Sequence, residues 1–386
     1  MTSSVRRAAA WLDPADARVE DLRATVGQPT DPADYPHAEI VSGVTVYTAD
    51  DLRSASRREI QAELVHALLD GPGIVVLRGA FADHAVLDRA TDAFLRLIEA
   101  QRAAGDAVGD HFAAPGSNDR IWNALEKLAV ADPDTFAAYY ASDVLALVCE
   151  AWLGPAYQVT SQVNVVNPGG RAQSPHRDYH LGFLSPAGAA RYPAHQHALT
   201  PALTLQGAVA HCDMPLETGP TLYLPHSQKY AHGYLVADRP DFRAFFAEHH
   251  VQLPLAKGDA AFFNPALLHG AGANRTTDVR RTANLLQVSS AFGRAMEYVD
   301  RARVSRAVLP ALRRMRAAGA SEAALRRVIA AAAEGYAFPT DLDRDPPVDG
   351  LAPPSQADLV TEAVLLGQDD AAFAAALAAH AERRGC

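Results

Sequence analysis

In the stretch "SPHRDYHLG", residues 174 to 182, an imidazole and a carboxylate stand two positions apart, at His176 and Asp178. In an extended chain, positions i and i+2 share a face, so this pair can offer a nitrogen and an oxygen to one metal ion. It would serve equally as an ordinary polar strand end. Two His and one carboxylate arranged as a facial triad leave three adjacent positions open. That suits non-haem Fe(II), whose open face takes a bidentate cosubstrate and then dioxygen. The third ligand must come from elsewhere in the chain. His269 is best placed, in "GDAAFFNPALLHGAGANRTTDVRRTANLLQ", where an apolar strand bounded by Gly258 and Pro265 delivers a His to a Gly-rich turn. The strand beyond opens on Arg280 and Arg281, where a guanidinium can enter a barrel. Its planar fork would match the far carboxylate of a keto acid.

Other His residues compete. "AHCDMP" holds a second pair with the same spacing, His211 and Asp213, which His226 could complete, but no arginine follows at a comparable position. An Asp before a turn commonly anchors backbone instead. His195 and His197 in "YPAHQHAL" sit in a Pro-containing loop without a nearby carboxylate. Trp122, Asn123 and Lys127 in "RIWNALEKL" are candidates for a substrate mouth, although residues at such spacing serve helix packing as often.

The elements that would position these groups follow from periodicity. The first forty-five residues read as an irregular leader, Pro- and Asp-rich in "GQPTDPADYPH". "TADDLRSASRREIQAELVHALLDGPG" reads as one helix, capped by Thr48 or Asp50 and ended by Gly71 and Pro72, feeding the buried strand "IVVLRG". Two further helices follow, and between them "GDHFAAPGSNDRIWNALEKLAV" is polar and aromatic enough to border a pocket. From about residue 157, short β-prone runs alternate with Pro, Gly and Asn, as in a jelly roll. Beyond about residue 295 the pattern returns to helices. The expectation is a mainly β chain with flanking helices: a leader over 1–45, a jelly-roll domain over 46–295 and a helical cap over 296–386.

A formal charge of −10 disfavours nucleic acid and anionic membranes as partners, and 49% hydrophobic with 21% charged residues is globular. Three scattered Cys, with no CxxC pair, fit a reducing cytoplasm and argue against a disulfide framework or a structural zinc site. No signal peptide and no run of 18 apolar residues is legible. A small-molecule partner is expected, and the C-terminal helices could also join two subunits.

From roughly residue 60 to 292 the chain resembles the phytanoyl-CoA dioxygenase family of Fe(II)- and 2-oxoglutarate-dependent oxygenases. The family's HxD falls on His176 and Asp178 and its distal ligand on His269; "GDAAFF" and "HGAGANRT" resemble the segments around that ligand. The resemblance implies a double-stranded β-helix core, with Fe(II), 2-oxoglutarate and O2 as cofactor and cosubstrates. It also implies a cosubstrate arginine eleven positions after the distal ligand, which is Arg280, or Arg281 if the count slips by one. Polar residues of the strand before HxD often face the cosubstrate in the family, which points to Gln162 and Asn164. The chain departs in "GPTLYLPHSQK", with His226 for a family Gly and Gln228 for a family His, so the substrate side there is not expected to follow the family. The implied reaction is hydroxylation of a small organic molecule with release of succinate and CO2. Asp178 argues against halogenation, since related halogenases carry a small residue there, while desaturation, ring closure and epimerisation stay open. Outside this class, a redox-silent metal-binding jelly roll, such as a zinc hydrolase or isomerase, would keep the triad without needing Arg280, and a metabolite-binding module would need neither.

Overall fold

The computed structural model describes residues 10–105, 116–179 and 184–385. Among the described residues, eleven strands form two sheets. In chain order they are β1 (Glu39–Val41), β2 (Val44–Thr48), β3 (Ile74–Arg78), β4 (Asn118–Ile121), β5 (Gln158–Val166), β6 (Thr204–Ala210), β7 (Thr221–Tyr223), β8 (Val251–Gln252), β9 (Ala260–Phe263), β10 (His269–Ala271) and β11 (Arg281–Ser289). The larger sheet runs β1-β2-β3-β9-β6-β11-β5-β4 and the smaller β10-β7-β8. An isolated antiparallel bridge between His176 and His269 places the HxD segment beside β10. The antiparallel quartet β9-β6-β11-β5 therefore opposes a quartet of HxD segment, β10, β7 and β8. This is the jelly-roll arrangement of a double-stranded β-helix.

The longer helices are α1 (Val19–Val26), α2 (Arg57–Leu69), α3 (His84–Ala103), α4 (Ala124–Ala131), α5 (Pro133–Tyr140), α6 (Asp143–Leu153), α7 (Pro240–His249), α8 (Arg301–Ala317), α9 (Glu322–Ala332), α10 (Gln356–Leu366) and α11 (Asp370–Arg384). Helix accounts for about 46% of the chain and strand for about 16%, so the expected mainly β composition is corrected to a mixed sheet with dominant helices. The reason lies in the large sheet, whose outer face is apolar along β3, β5, β9 and β11 and has to be covered. Val75, Leu77, Val163, Phe262, Leu286 and Val288 share one buried cluster with α2 to α6 and with the C-terminal helices, through Val304, Leu312, Val328 and Phe373. The expected cap is thus packed into the main core.

The leader is less irregular than its composition suggests. It contains α1, and β1 and β2 extend the large sheet, β2 pairing parallel to β3. The single helix expected over residues 48–70 is two. Thr48 Oγ1 caps a short first helix by accepting from Asp51 N, and Ser56 Oγ then accepts from Glu59 N at 3.4 Å to start α2. A second side-chain cap competes with continuation of the first helix. The polar segment expected to border a pocket lies partly outside the described residues, as does "HLGF" after Tyr179. Among the described residues no single helix is long and apolar enough to cross a membrane.

Candidate active site

Strand alternation decides which side chains enter the barrel. In β11, Leu286 and Val288 belong to the cluster under the helices. The alternate set, Arg281, Ala283, Leu285 and Gln287, therefore faces the barrel interior. Register carries this face across the sheet: Gln287 lies opposite Gln206, Leu285 opposite both Ala208 and Gln162, and Ala283 opposite Ala210 and Asn164.

His176, Asp178 and His269 converge, each offering a ligand atom within 4.8 Å of the others, and they are the only such group among the described residues. His176 Nε2 is 3.9 Å from Asp178 Oδ1, and His269 Nε2 is 3.8 Å from Oδ2. Each His fixes its other nitrogen on the carbonyl two residues upstream: His176 Nδ1 on Ser174 O at 2.9 Å and His269 Nδ1 on Leu267 O at 2.8 Å. As donors there, both rings keep Nε2 free as a lone pair toward the shared centre. Burial, reinforced by His176, lowers the pKa of His269 to about 4, so its ring is neutral at pH 7, the form a metal ligand requires. Asp178 Oδ1 is buried without a hydrogen-bond partner, while Oδ2 accepts from the side-chain amide of Gln206. An unsatisfied carboxylate oxygen between two imidazole nitrogens fits a divalent cation.

The two neighbouring arginines separate. Arg280, the residue the family count selects, has a 44% exposed side chain turned to the helix side, where it pairs with Asp119 at 3.0 Å and donates to Asn167 Oδ1 at 3.3 Å. Arg281 is 6% exposed, ion-pairs with no described residue, and leaves Nη1 buried without a partner. Burial lowers its pKa to about 10, with Cys212 and Tyr223 opposing, so it stays charged at neutral pH. Tyr223 lies opposite His269 in the small sheet, which sets Arg281 across the barrel from the ligand strand. Between Arg281 and Gln206 the inner face carries the small residues Ala283, Ala210 and Ala208. A buried guanidinium with no ion-pair partner among the described residues fits a carboxylate.

Gln162 and Asn164 lie on the inner face as the resemblance implies, but both are engaged by β4: Arg120 donates to Gln162 Oε1 at 2.6 Å and Asn118 to Asn164 Oδ1 at 3.1 Å. The rival triad does not assemble. His211 is buried between Thr91 Oγ1 at 2.8 Å and Tyr139 Oη at 3.0 Å, Asp213 accepts from Lys257 N at 2.8 Å, and His226 meets Thr30 Oγ1 at 3.0 Å. His195 and His197 fall on a short helix, and His197 is bonded to Tyr179 and Tyr192.

Two supports were not read from the sequence. Gln206 is the one amide in the apolar strand "LTLQGAV", a signal that was available. Arg177 stands between the ligands and points the other way, fully buried, donating to Tyr230 O at 2.8 Å and to Ser227 O, over the ring of Tyr234. Ser227 also accepts from Leu268 N at 2.8 Å, so a single turn grips the strands carrying both His176 and His269. The departing "PHSQK" segment holds the leader as well, through His226 to Thr30 and Lys229 to Gln28 at 3.1 Å.

No curated protein matches the chain. Among solved structures, it is similar to the non-heme alpha ketoglutarate dependent epimerase SnoN from nogalamycin biosynthesis, at 20% identity and a TM-score of 0.41, covering 61% of this chain and 84% of that one. It is also similar to the carbocyclase SnoK of the same biosynthesis, at 19% identity and a TM-score of 0.44, covering 61% and 87%. For AviO1 from Streptomyces viridochromogenes Tue57 the values are 17% identity, TM-score 0.44, and coverage of 61% and 96%. The family model described as phytanoyl-CoA dioxygenase matches residues 69–282, more than half of the 386-residue sequence, and the chain belongs to that family of Fe(II)- and 2-oxoglutarate-dependent oxygenases.

Proposed function

We propose that His176, Asp178 and His269 hold the Fe(II), that Arg281 and not Arg280 binds the distal carboxylate of 2-oxoglutarate, and that the enzyme hydroxylates a small organic molecule. The observation that carries this reading is the pairing of a buried, unpartnered guanidinium with a carboxylate-imidazole cluster on one barrel interior. When bound, iron with 2-oxoglutarate and dioxygen supplies an oxidant for a C–H bond, and the overall change is R–H + 2-oxoglutarate + O2 to R–OH + succinate + CO2. The chain's own part is orientation. Gln206 holds the carboxylate of Asp178, the Ser174 and Leu267 carbonyls hold the two rings, and Arg281 sets the depth of the cosubstrate. Gln162 and Asn164 line the same face and keep β4 against it, which is a wall role more than direct cosubstrate contact.

The test is an anaerobic Fe(II) titration with and without 2-oxoglutarate, following the weak visible charge-transfer band of a chelated keto acid. Wild type shows the band. Asp178→Ala removes it, and Arg281→Ala needs about 100-fold more 2-oxoglutarate, as for loss of a buried charge pair. Arg280→Ala titrates like wild type. A folded, iron-loaded protein without the band would overturn the proposal, and a stronger effect of Arg280→Ala than of Arg281→Ala would return the role to Arg280.

A further inference from the structure

Beside the iron face lies a polar cluster whose outer members, Asn123 and Glu297, have no role in the chemistry above. β4 is the edge strand next to β5, and Arg120 lies opposite Asn164, so it projects from the same face as Gln162 and Asn164. Its guanidinium donates to Gln162 and covers the ring of Trp122, 4.7 Å from the centroid. The chain then turns at Asn123, whose backbone is left-handed at φ 50° and ψ 45°. Such a conformation is uncommon for a residue with a Cβ and is enriched at functional turns.

The loop after β11 brings Glu297 against this turn, where Asn123 N donates to Glu297 Oε1 at 2.7 Å. The other oxygen, Oε2, is shut from solvent and has no well-aligned hydrogen-bond donor among the described residues, the Gln162 amide being a further partner of the carboxylate. Neither has Asn123 Oδ1, and its amide cannot simply be reversed, because Nδ2 donates to Glu126 Oε2 at 2.9 Å. Two unsatisfied acceptors on touching residues call for a donor. Burial raises the pKa of Glu297, opposed by the hydrogen bond from the Asn123 amide, the charge of Arg120, the side chain of Gln162 reaching the carboxylate as a hydrogen-bond partner, and the charge of Lys127. Fastening the loop does not need this arrangement, since Glu126 already accepts from Asp300 N at 3.0 Å and pairs with Arg303 at 3.1 Å.

We infer that Glu297 and Asn123 form a substrate subsite that accepts hydrogen bonds from an ammonium or hydroxyl group, and that the substrate is a polar amine- or hydroxyl-bearing molecule, not an unbranched acyl chain. The inference rests on the oxygenase reading. Gln162 ties the subsite to the iron face, so a substrate anchored there lies alongside the sheet that carries Gln206.

The test uses the full chain loaded with Fe(II) and 2-oxoglutarate, supplied with oxygen, with glucosamine, glucose and decanoic acid as probes. The readout is succinate formed above the unstimulated rate. Wild type responds to glucosamine, glucose or both, and not to decanoate; a response to glucosamine alone assigns the donor as an ammonium, and an equal response assigns it as a hydroxyl. Glu297→Gln keeps an acceptor for Asn123 N but turns the orphaned oxygen into an amide that can donate to Asn123 Oδ1. It therefore raises the KM of the responding probe at least about tenfold while leaving the urea midpoint unchanged or higher, as when a binding site is traded for stability. A lowered midpoint with an unchanged KM would make the pair a structural clasp and overturn the inference. So would stimulation by decanoate alone, or no response to either sugar in a sample that shows the visible band. A wild-type sample without the band would instead remove the oxygenase reading, and this subsite with it.

Discussion

The side-chain amide of Gln206 donates to Asp178 Oδ2, so the carboxylate between the two imidazoles is oriented from β6 in the large sheet while its backbone belongs to the opposite side of the barrel. The ligand geometry thus depends on how the two sheets face each other. Gln206→Leu should weaken Fe(II) binding by about 10- to 100-fold, the usual cost of removing a partner behind a metal ligand. An unchanged Fe(II) affinity in anaerobic titration would show that Asp178 is held by its backbone alone.

Arg281 is a buried charge without a counter-ion among the described residues, and it should destabilise the protein until a carboxylate arrives. Arg281→Met is expected to raise the unfolding free energy without 2-oxoglutarate by about 1–2 kcal/mol, since an apolar residue of similar length avoids the desolvation cost. The same variant should lose the stabilisation that 2-oxoglutarate confers on the Fe(II)-loaded wild type. Urea titrations with and without the cosubstrate measure both. Arg280→Ala should cost no more than about 1 kcal/mol, because its partner Asp119 keeps Arg102 at 2.5 Å.

Gly233 touches Arg177 so closely that an added Cβ would lie 1.8 Å from Cζ of the guanidinium. Gly233→Ala should cost about 2–3 kcal/mol of stability, the range for overpacking a close contact, and should also weaken Fe(II) binding, because Arg177 lies between two ligands. The double variant with Arg177→Ala is the check. Coupling of the two changes by at least about 1 kcal/mol is expected for residues in direct contact; strictly additive effects would mean the clash is relieved elsewhere.

His211 is buried and held neutral, with a pKa lowered to about 3 by burial and by Lys257. The unfolded chain binds a proton at this residue below about pH 6.5 while the folded chain does not, so stability must fall as pH drops from about 6.5 toward 3, by about 1.4 kcal/mol per unit. His226, lowered to about 4, adds to the slope over part of the same range. His211→Gln should be less stable at pH 7, having lost contacts to Thr91 and Tyr139, yet its stability should fall less steeply between pH 6 and 4. Equal slopes in urea unfolding across that range would show that His211 protonates without unfolding.

The convergence of His176, Asp178 and His269 was legible because its signal is local at one end and distinctive at the other: the i, i+2 pair His176 and Asp178, and His269 at a Gly-rich turn after an apolar strand. Gln162 and Asn164 came from the family resemblance, and the register of β5 against β11 is what puts them on one face. What a linear reading missed were groups whose role depends on a partner far along the chain, among them Gln206, Arg177 with Gly233, and Glu297. The helical majority was underread because strand residues are few but their outer face is wide, and covering it takes helices from both ends of the sequence.

The sequence by itself determined which three side chains could share one centre, His176, Asp178 and His269, and the short strands of a jelly-roll sheet, since these follow from side-chain chemistry and two-residue periodicity. Only the tertiary structure told the surroundings of Arg280 and Arg281 apart. The two are adjacent and chemically identical, and spacing favours the first. One residue of strand phase sends Arg280 to Asp119 under the helices and Arg281 into the barrel. A count along the chain cannot see that phase; it is fixed by the register of β11 between β5 and β6.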